Sequence, residues 1–187
     1  MGVSDLAPIR ALTLHPEWAW AVAHLGKDVE NRKWHPHKWV LAELKARRSV
    51  YLAIHAGLSF GGMSTVLRRE HLTPVITMAE RAGWSAESAG GWVKFTHPSE
   101  DDVLLPWARR GVSTSAIVAV GRLEGASQDS ASPWYAGGDQ YGWELADVVT
   151  LPSPVRSRGR QGLWNLEPDV LAAVRVQYRL GRPAVAA

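Results

Sequence analysis

The chain has 187 residues, 46% of them hydrophobic and 21% charged, with a net charge of +3; that is enough for one domain with a substantial core. It contains no cysteine, which excludes disulfides, thiolate nucleophiles and cysteine-ligated zinc or iron–sulfur sites. No apolar run approaches the roughly 18 residues of a membrane span, and the first residues lack the basic-then-apolar pattern of a secretory leader, so a cytoplasmic protein without a membrane partner is expected.

In chain order, IRALTL (9–14) reads as a strand. Pro16 suits a first helical position, and PEWAWAVAHL places Trp18, Val22 and Leu25 on one helical face. Gly26 is a natural stop, and DVENRKW continues extended. A polar stretch with Lys45, Arg47 and Arg48 precedes the strand VYLAIH (50–55). Residues 57–114 read as an insertion. It opens with GLSFGG, carries a helix near 63–71 and a second from Thr73–Pro74 to Gly83, and then a strand at 92–96 and a helical turn at 106–110.

SAIVAVGRL (115–123) is a strong strand, followed by a Gly/Ser/Pro-rich loop over 125–140. WELADVVTL (143–151) is another strand, interrupted by Pro152 and Pro154 as at an edge or corner. A basic loop, Arg156–Arg160, leads into a last strand, GLWNL (162–166). Pro168 opens a closing helix with Leu171, Val174 and Tyr178 on one stripe, and the tail 181–187 is expected to fray. Six short strands with sparse helices predict an α+β, mainly β chain: a small, largely antiparallel β-barrel with flanking helices.

All of the net charge falls in residues 1–60, which hold eight Lys/Arg against five Asp/Glu. Ten tryptophans against two phenylalanines supply core, but indole is also a stacking surface for bases. No Gly-x-Ser-x-Gly elbow, P-loop or dinucleotide fingerprint is present.

The stretch PEWAWAVAHLGKDVENRKW followed by YLAIHAG resembles the ASCH domain family of the PUA-like superfold. The matching residues are Pro16, Trp18, Ala19, Gly26, Lys27, Glu30, Arg32 and Trp34, then Ile54, His55 and Ala56. AIVAVGRL, YGWELADVVTLPSPV and the segment Gly159–Trp164 fit as well, so the resemblance covers roughly 9–56 and 115–166. It implies a single ASCH/PUA-like domain over 1–187, a barrel with a cleft beside the first helix, and a nucleotide or nucleic-acid ligand. Some members resemble plain binding modules. Others are ribonucleases, or hydrolases of modified nucleosides such as N4-acylcytidine. In that last branch a lysine works with a threonine three residues on and a downstream glutamate. Lys27 matches, Glu30 stands in the threonine's place, and no glutamate lies in 125–143.

The residues themselves allow two readings each. Lys27 either lies over the last helix carbonyls or enters the cleft as a ligand for phosphate or a base carbonyl. Glu30 and Arg32 share a strand face, forming a structural ion pair or letting Glu30 accept from the exocyclic amine of cytosine or adenine. Lys27 and Glu30 are the candidate catalytic pair if the chain is an enzyme. Trp34, Trp134, Trp143 and Trp164 are either core or a stacking wall, and Trp134 with Tyr135 would be an exposed platform on its loop. Arg156, Arg158, Arg160 and Gln161, like the Lys45–Arg48 cluster, are a solvated turn or a phosphate strip. His55 is read as a hydrogen-bonded strand end near the cleft. His35 and His37 with His55 lack the spacing of a metal set, so neither metal nor cofactor is called for. The expected partner is RNA, single-stranded DNA or a modified nucleoside.

Overall fold

The computed structural model describes residues 9–60, 69–84 and 113–183. Its elements run β1 (Ile9–Leu14), α1 (Pro16–His24), β2 (Val29–Arg32), α2 (Lys38–Lys45), β3 (Val50–Ala56), α3 (Arg69–Arg81), β4 (Ala116–Ser127), β5 (Tyr141–Arg156), β6 (Leu163–Trp164) and α4 (Pro168–Gly181). The six strands form one sheet in the order β2-β5-β4-β3-β1-β6. Only the β1–β3 pair is parallel; every other pairing is antiparallel. The sheet curls into a half-barrel, and the Arg32 guanidinium at the β2 edge reaches the Thr13 carbonyl of β1 at 2.8 Å. Between those edges lies an open seam.

Packing explains the curl. On the concave face Ala19 and Val22 of α1 and Val40 of α2 meet Leu12, Leu52, Ile54 and Trp143. On the convex face Val174 and Tyr178 of α4 meet Ile9, Ala11, Ala53, Ile117 and Leu151. Because β3 is covered on both faces, it reads as a nearly continuous apolar run rather than an alternating one. The outer side of α1 carries a third cluster, where Ala21 and Leu25 pack with Leu72, Val75 and Ala79 of α3.

Several expectations are corrected. Lys38–Lys45, expected as part of a polar stretch, is a helix; Val40 is buried and Leu44, one turn on, packs against the same cluster, an i,i+4 pair confined to eight residues. Pro74 does not begin a helix, because α3 is already helical at Arg69 and runs through it. The strand at 92–96 and the turn at 106–110 lie outside the described residues. Gly181, placed in the tail, belongs to α4, and its backbone lies against the Thr150 carbonyl.

The β5 prolines fall where the ladder is already broken. Thr150 pairs with Ala119 and Val155 with Ile117, so Leu151–Pro154 bulge out opposite Val118 and no ladder amide is missed. Among the described residues no helix is long and apolar enough to cross a membrane.

Trp143 is fully buried and meets Trp34 edge-on at 4.6 Å. Trp143→Ala is expected to destabilise the fold by about 3–5 kcal/mol, read as a lower urea midpoint.

Candidate functional site

The end of α1 delivers the first functional side chain. Gly26, at φ +64°, turns the chain out of the helix, a conformation that glycine adopts without steric cost. The Lys27 amide then donates to the Ala21 carbonyl at 3.2 Å. This sends the Lys27 side chain inward, where it is 1% exposed. Its ammonium donates to Glu30 Oε2 at 2.7 Å and to the Val29 carbonyl, and lies 5.7 Å from the centre of the Trp18 ring. Glu30 Oε1 is in turn 3.1 Å from Arg32 Nε. That nitrogen lacks hydrogen-bond alignment, so the contact is one of charge. One carboxylate is thus held between two cations, one buried and one half-exposed.

This cluster lines a cleft of about 550 Å³. Thr13, Leu14 and His15 form one wall, Trp18 another, and Gly57–Ser59 a third. Asn31 secures the rim: its amide donates to the Trp134 carbonyl at 2.9 Å and its carbonyl accepts from the Ala136 amide at 2.9 Å. A second groove of about 870 Å³ continues from the cleft and shares Thr13, His15, Arg32, Gly57 and Leu58 with it. Trp34 and His55 line it, opposite the loop Arg158–Gly162.

His55 anchors that loop. Its ring is 1% exposed, shares a 3.0 Å hydrogen bond with the Ser157 carbonyl and meets Trp164 edge-on at 5.6 Å. Nδ1 is buried without a hydrogen-bond partner, so the tautomer that donates from Nε2 fits. Gly159 lies so close that a Cβ there would be 2.5 Å from His55 Cε1. The Thr13 hydroxyl adds a second tie, donating to the Arg160 carbonyl at 2.8 Å and accepting from Trp164 Nε1 at 3.1 Å. Burial lowers the His55 pKa below the ordinary imidazole value, partly opposed by the Ser157 carbonyl.

The structure brings Lys27, Glu30, Arg32, Trp34, His55, Arg158, Arg160 and Gln161 to the cleft or its continuation. It places others elsewhere. Trp134 is 1% exposed and packs in the α1–α3 cluster, so the expected exposed platform is absent. Tyr135 is half-buried, and its hydroxyl closes the loop onto the Gln128 and Gln140 carbonyls at 2.7 and 2.8 Å. Trp143 is core and Trp164 is nearly so. Arg156 donates to the Thr114 carbonyl at 3.2 Å and lines neither cavity. The Lys45–Arg48 cluster is also away from both cavities, with Arg48 paired to Glu43 at 2.6 Å. His35 and His37 sit against Tyr141 and Trp34 respectively.

Trp18, Thr13, His15 and Asn31 were not anticipated at the site. Trp18 carried the signal of an apolar helix face. Asn31, between two charged residues on a short strand, and Thr13, inside an apolar strand, carried none. Compared with protein-family models and with curated proteins, the chain matches none.

Two measurements check this geometry. Removing one partner of a buried ion pair costs about 3–5 kcal/mol, so Lys27→Met is expected to destabilise strongly and the double variant Lys27→Met/Glu30→Gln less. Denaturant unfolding of both reads the difference. The lowered His55 pKa has a definite sign: as pH falls through about 6.5 the unfolded chain takes up the proton first. Stability therefore drops with acid and levels off once the folded imidazole also titrates. His55→Gln, which keeps a donor for Ser157, is expected to shrink the loss between about pH 7.5 and 5.5.

Proposed function

We propose that the chain is a single-stranded nucleic-acid-binding domain of PUA-like architecture whose cleft receives one nucleotide or modified base. The observation that carries this reading is the Glu30 carboxylate, fixed between Lys27 and Arg32 on the wall of a cleft of about 550 Å³. A carboxylate held in one orientation accepts from an exocyclic amine, which favours cytosine or adenine over uracil. Trp18 and the Leu14 and Leu58 side chains supply apolar surface for the base face. The second groove, with Arg158 and Arg160, suits the phosphates.

In this reading Lys27 does not contact a phosphate. Its ammonium is committed to Glu30 and Val29, so it positions the carboxylate rather than a phosphate. The same commitment supports binding over amide hydrolysis or RNA cleavage. A lysine acting as nucleophile or general base needs a free lone pair, which an ammonium donating to Glu30 and Val29 lacks, and no hydroxyl bonds to Lys27 or Glu30 among the described residues.

Fluorescence anisotropy with labelled RNA and DNA single strands of about eight nucleotides, at about 50 and 200 mM salt, tests the proposal. Binding is expected to weaken steeply with salt. Glu30→Gln is expected to lose about tenfold for cytosine- or adenine-containing strands, with little change for uracil or thymine. No binding at the lower salt, or identical affinities for the variant, rejects it. Incubation with N4-acetylcytidine and with RNA in EDTA is expected to leave both intact; release of acetate or fragments establishes a hydrolase instead.

A further inference from the structure

We infer that the nucleotide cleft is one end of a longer track along the half-barrel seam, with Trp39 and Arg10 as a second stacking station at the far end. The ligand is then a single strand spanning several nucleotides and not a free nucleoside. This inference rests on the reading of the cleft given above.

The seam has two sides. On one, the chain advances from Lys27 and Glu30 through Arg32 and Trp34 to His37 and Trp39. On the other, the end of β1 gives way to the loop Arg158–Gly162 and then to β6 and Asn165. Lys27 and Glu30 lie at the first cavity, Arg32 and Trp34 at the second groove, and His37 and Trp39 at a third hollow of about 270 Å³ against Leu163–Asn165. The second and third are neighbours at two points. The Trp34 and His37 rings are 5.6 Å apart, and the His55 and Trp164 rings are also 5.6 Å apart.

Trp39 is the unusual residue. It is 37% exposed, while the next residue, Val40, supplies the helix's anchor in the core. Its indole lines the third hollow and offers an aromatic surface to solvent there. The Arg10 guanidinium sits 5.1 Å from its ring centre, which orients the indole and adds a positive charge beside it.

Charge identifies the occupant. Among the described residues Glu30 is the one carboxylate lining the first cavity, and none lines the second groove or the third hollow. Arg160 shares its charge with Glu167 at 2.6 Å, but no carboxylate pairs with Arg158 or Arg10 among the described residues. A path that sets the unneutralised guanidinium groups of Arg158 and Arg10 beside the half-buried indole of Trp34 and the exposed indole of Trp39 fits a polyanion that also carries flat faces. An acidic peptide would use the charges and leave Trp34 and Trp39 idle.

The test compares cytidine 5′-monophosphate with cytidine/adenosine single strands of about two, four and eight nucleotides by anisotropy competition. Affinity is expected to rise from the mononucleotide to the four-residue strand. Trp39→Ala and Arg10→Ala are each expected to cost roughly five- to tenfold for the longer strands, the low end of what one base stack contributes, and nothing for the mononucleotide. Trp39→Phe should recover most of the loss. Equal affinity for mononucleotide and strand, no loss in Trp39→Ala, or a polyglutamate peptide competing as well as the strand overturns the inference. Strand binding that depends on Trp39 but ignores Glu30→Gln rejects the base-reading cleft and leaves the track. Mononucleotide binding that depends on Glu30 without a length effect rejects the track and leaves the cleft.

Discussion

A lysine ammonium buried to 1% exposure is an expensive object, because an unpaired charge moved from water into a protein interior loses several kcal/mol of solvation. Lys27 is tolerated because Glu30 and the Val29 carbonyl accept from it. Both acceptors are on β2, which joins the rest of the sheet through only four residue pairs with β5. The ion cluster therefore does mechanical work as well as electrostatic work. It fixes the short edge strand to the end of α1, and Arg32, reaching across to Thr13, sets the width of the seam.

That seam is the reason the chain has a site at all. A closed barrel of this size would fill its interior with side chains. Here the β2 and β6 edges do not pair, and polar residues occupy the gap. Short edges limit the hazard of unpaired strands: β2 has four residues and β6 two. The flanking loops are tied by side chains rather than by a ladder. Asn31 holds the 132–136 segment on one side, while His55 and Thr13 hold the 157–160 segment on the other. Gly159 is required there because no Cβ fits over the His55 ring.

Much of the architecture was legible because the strongest elements carry local signals. Pro16 and Gly26 bracket α1, β3 and β4 are dense apolar runs, and Pro168 opens α4. What failed was local evidence overridden by tertiary contacts. α2 spans only eight residues, so its i,i+4 pair Val40 and Leu44 gave a signal too short to stand out between charged neighbours. Pro74 suggested a helix start, but α3 continues through it. Trp134 sits among Ser, Pro and Gly, the company of an exposed loop. Its ring nevertheless closes the α1–α3 cluster, because Asn31 draws the loop inward. At the site, Glu30 and Arg32 could be placed on one strand face from spacing alone, and Lys27 beside them only through the family resemblance. Their mutual pairing, which removes Lys27 from phosphate contact, depends on how far the helix end turns inward, and no sequence pattern encodes that depth.

The distribution of charge along the seam sorts the chemical parts of the proposed ligand. In the first cavity a carboxylate stands between Lys27 and Arg32, so a phosphate entering there would meet Glu30 at close range and be repelled. A neutral base edge with an amine donor would not. In the second groove no carboxylate is among the described lining residues, and none of the described residues pairs with Arg158, although Arg160 shares its charge with Glu167, so in the proposed complex the backbone would be drawn to that stretch. Every nucleotide of a strand carries both a base and a phosphate, so this pattern selects which of the two would turn into the first cavity: the base edge is accepted and the phosphate is rejected, and the rejection contributes to specificity as much as the attraction does.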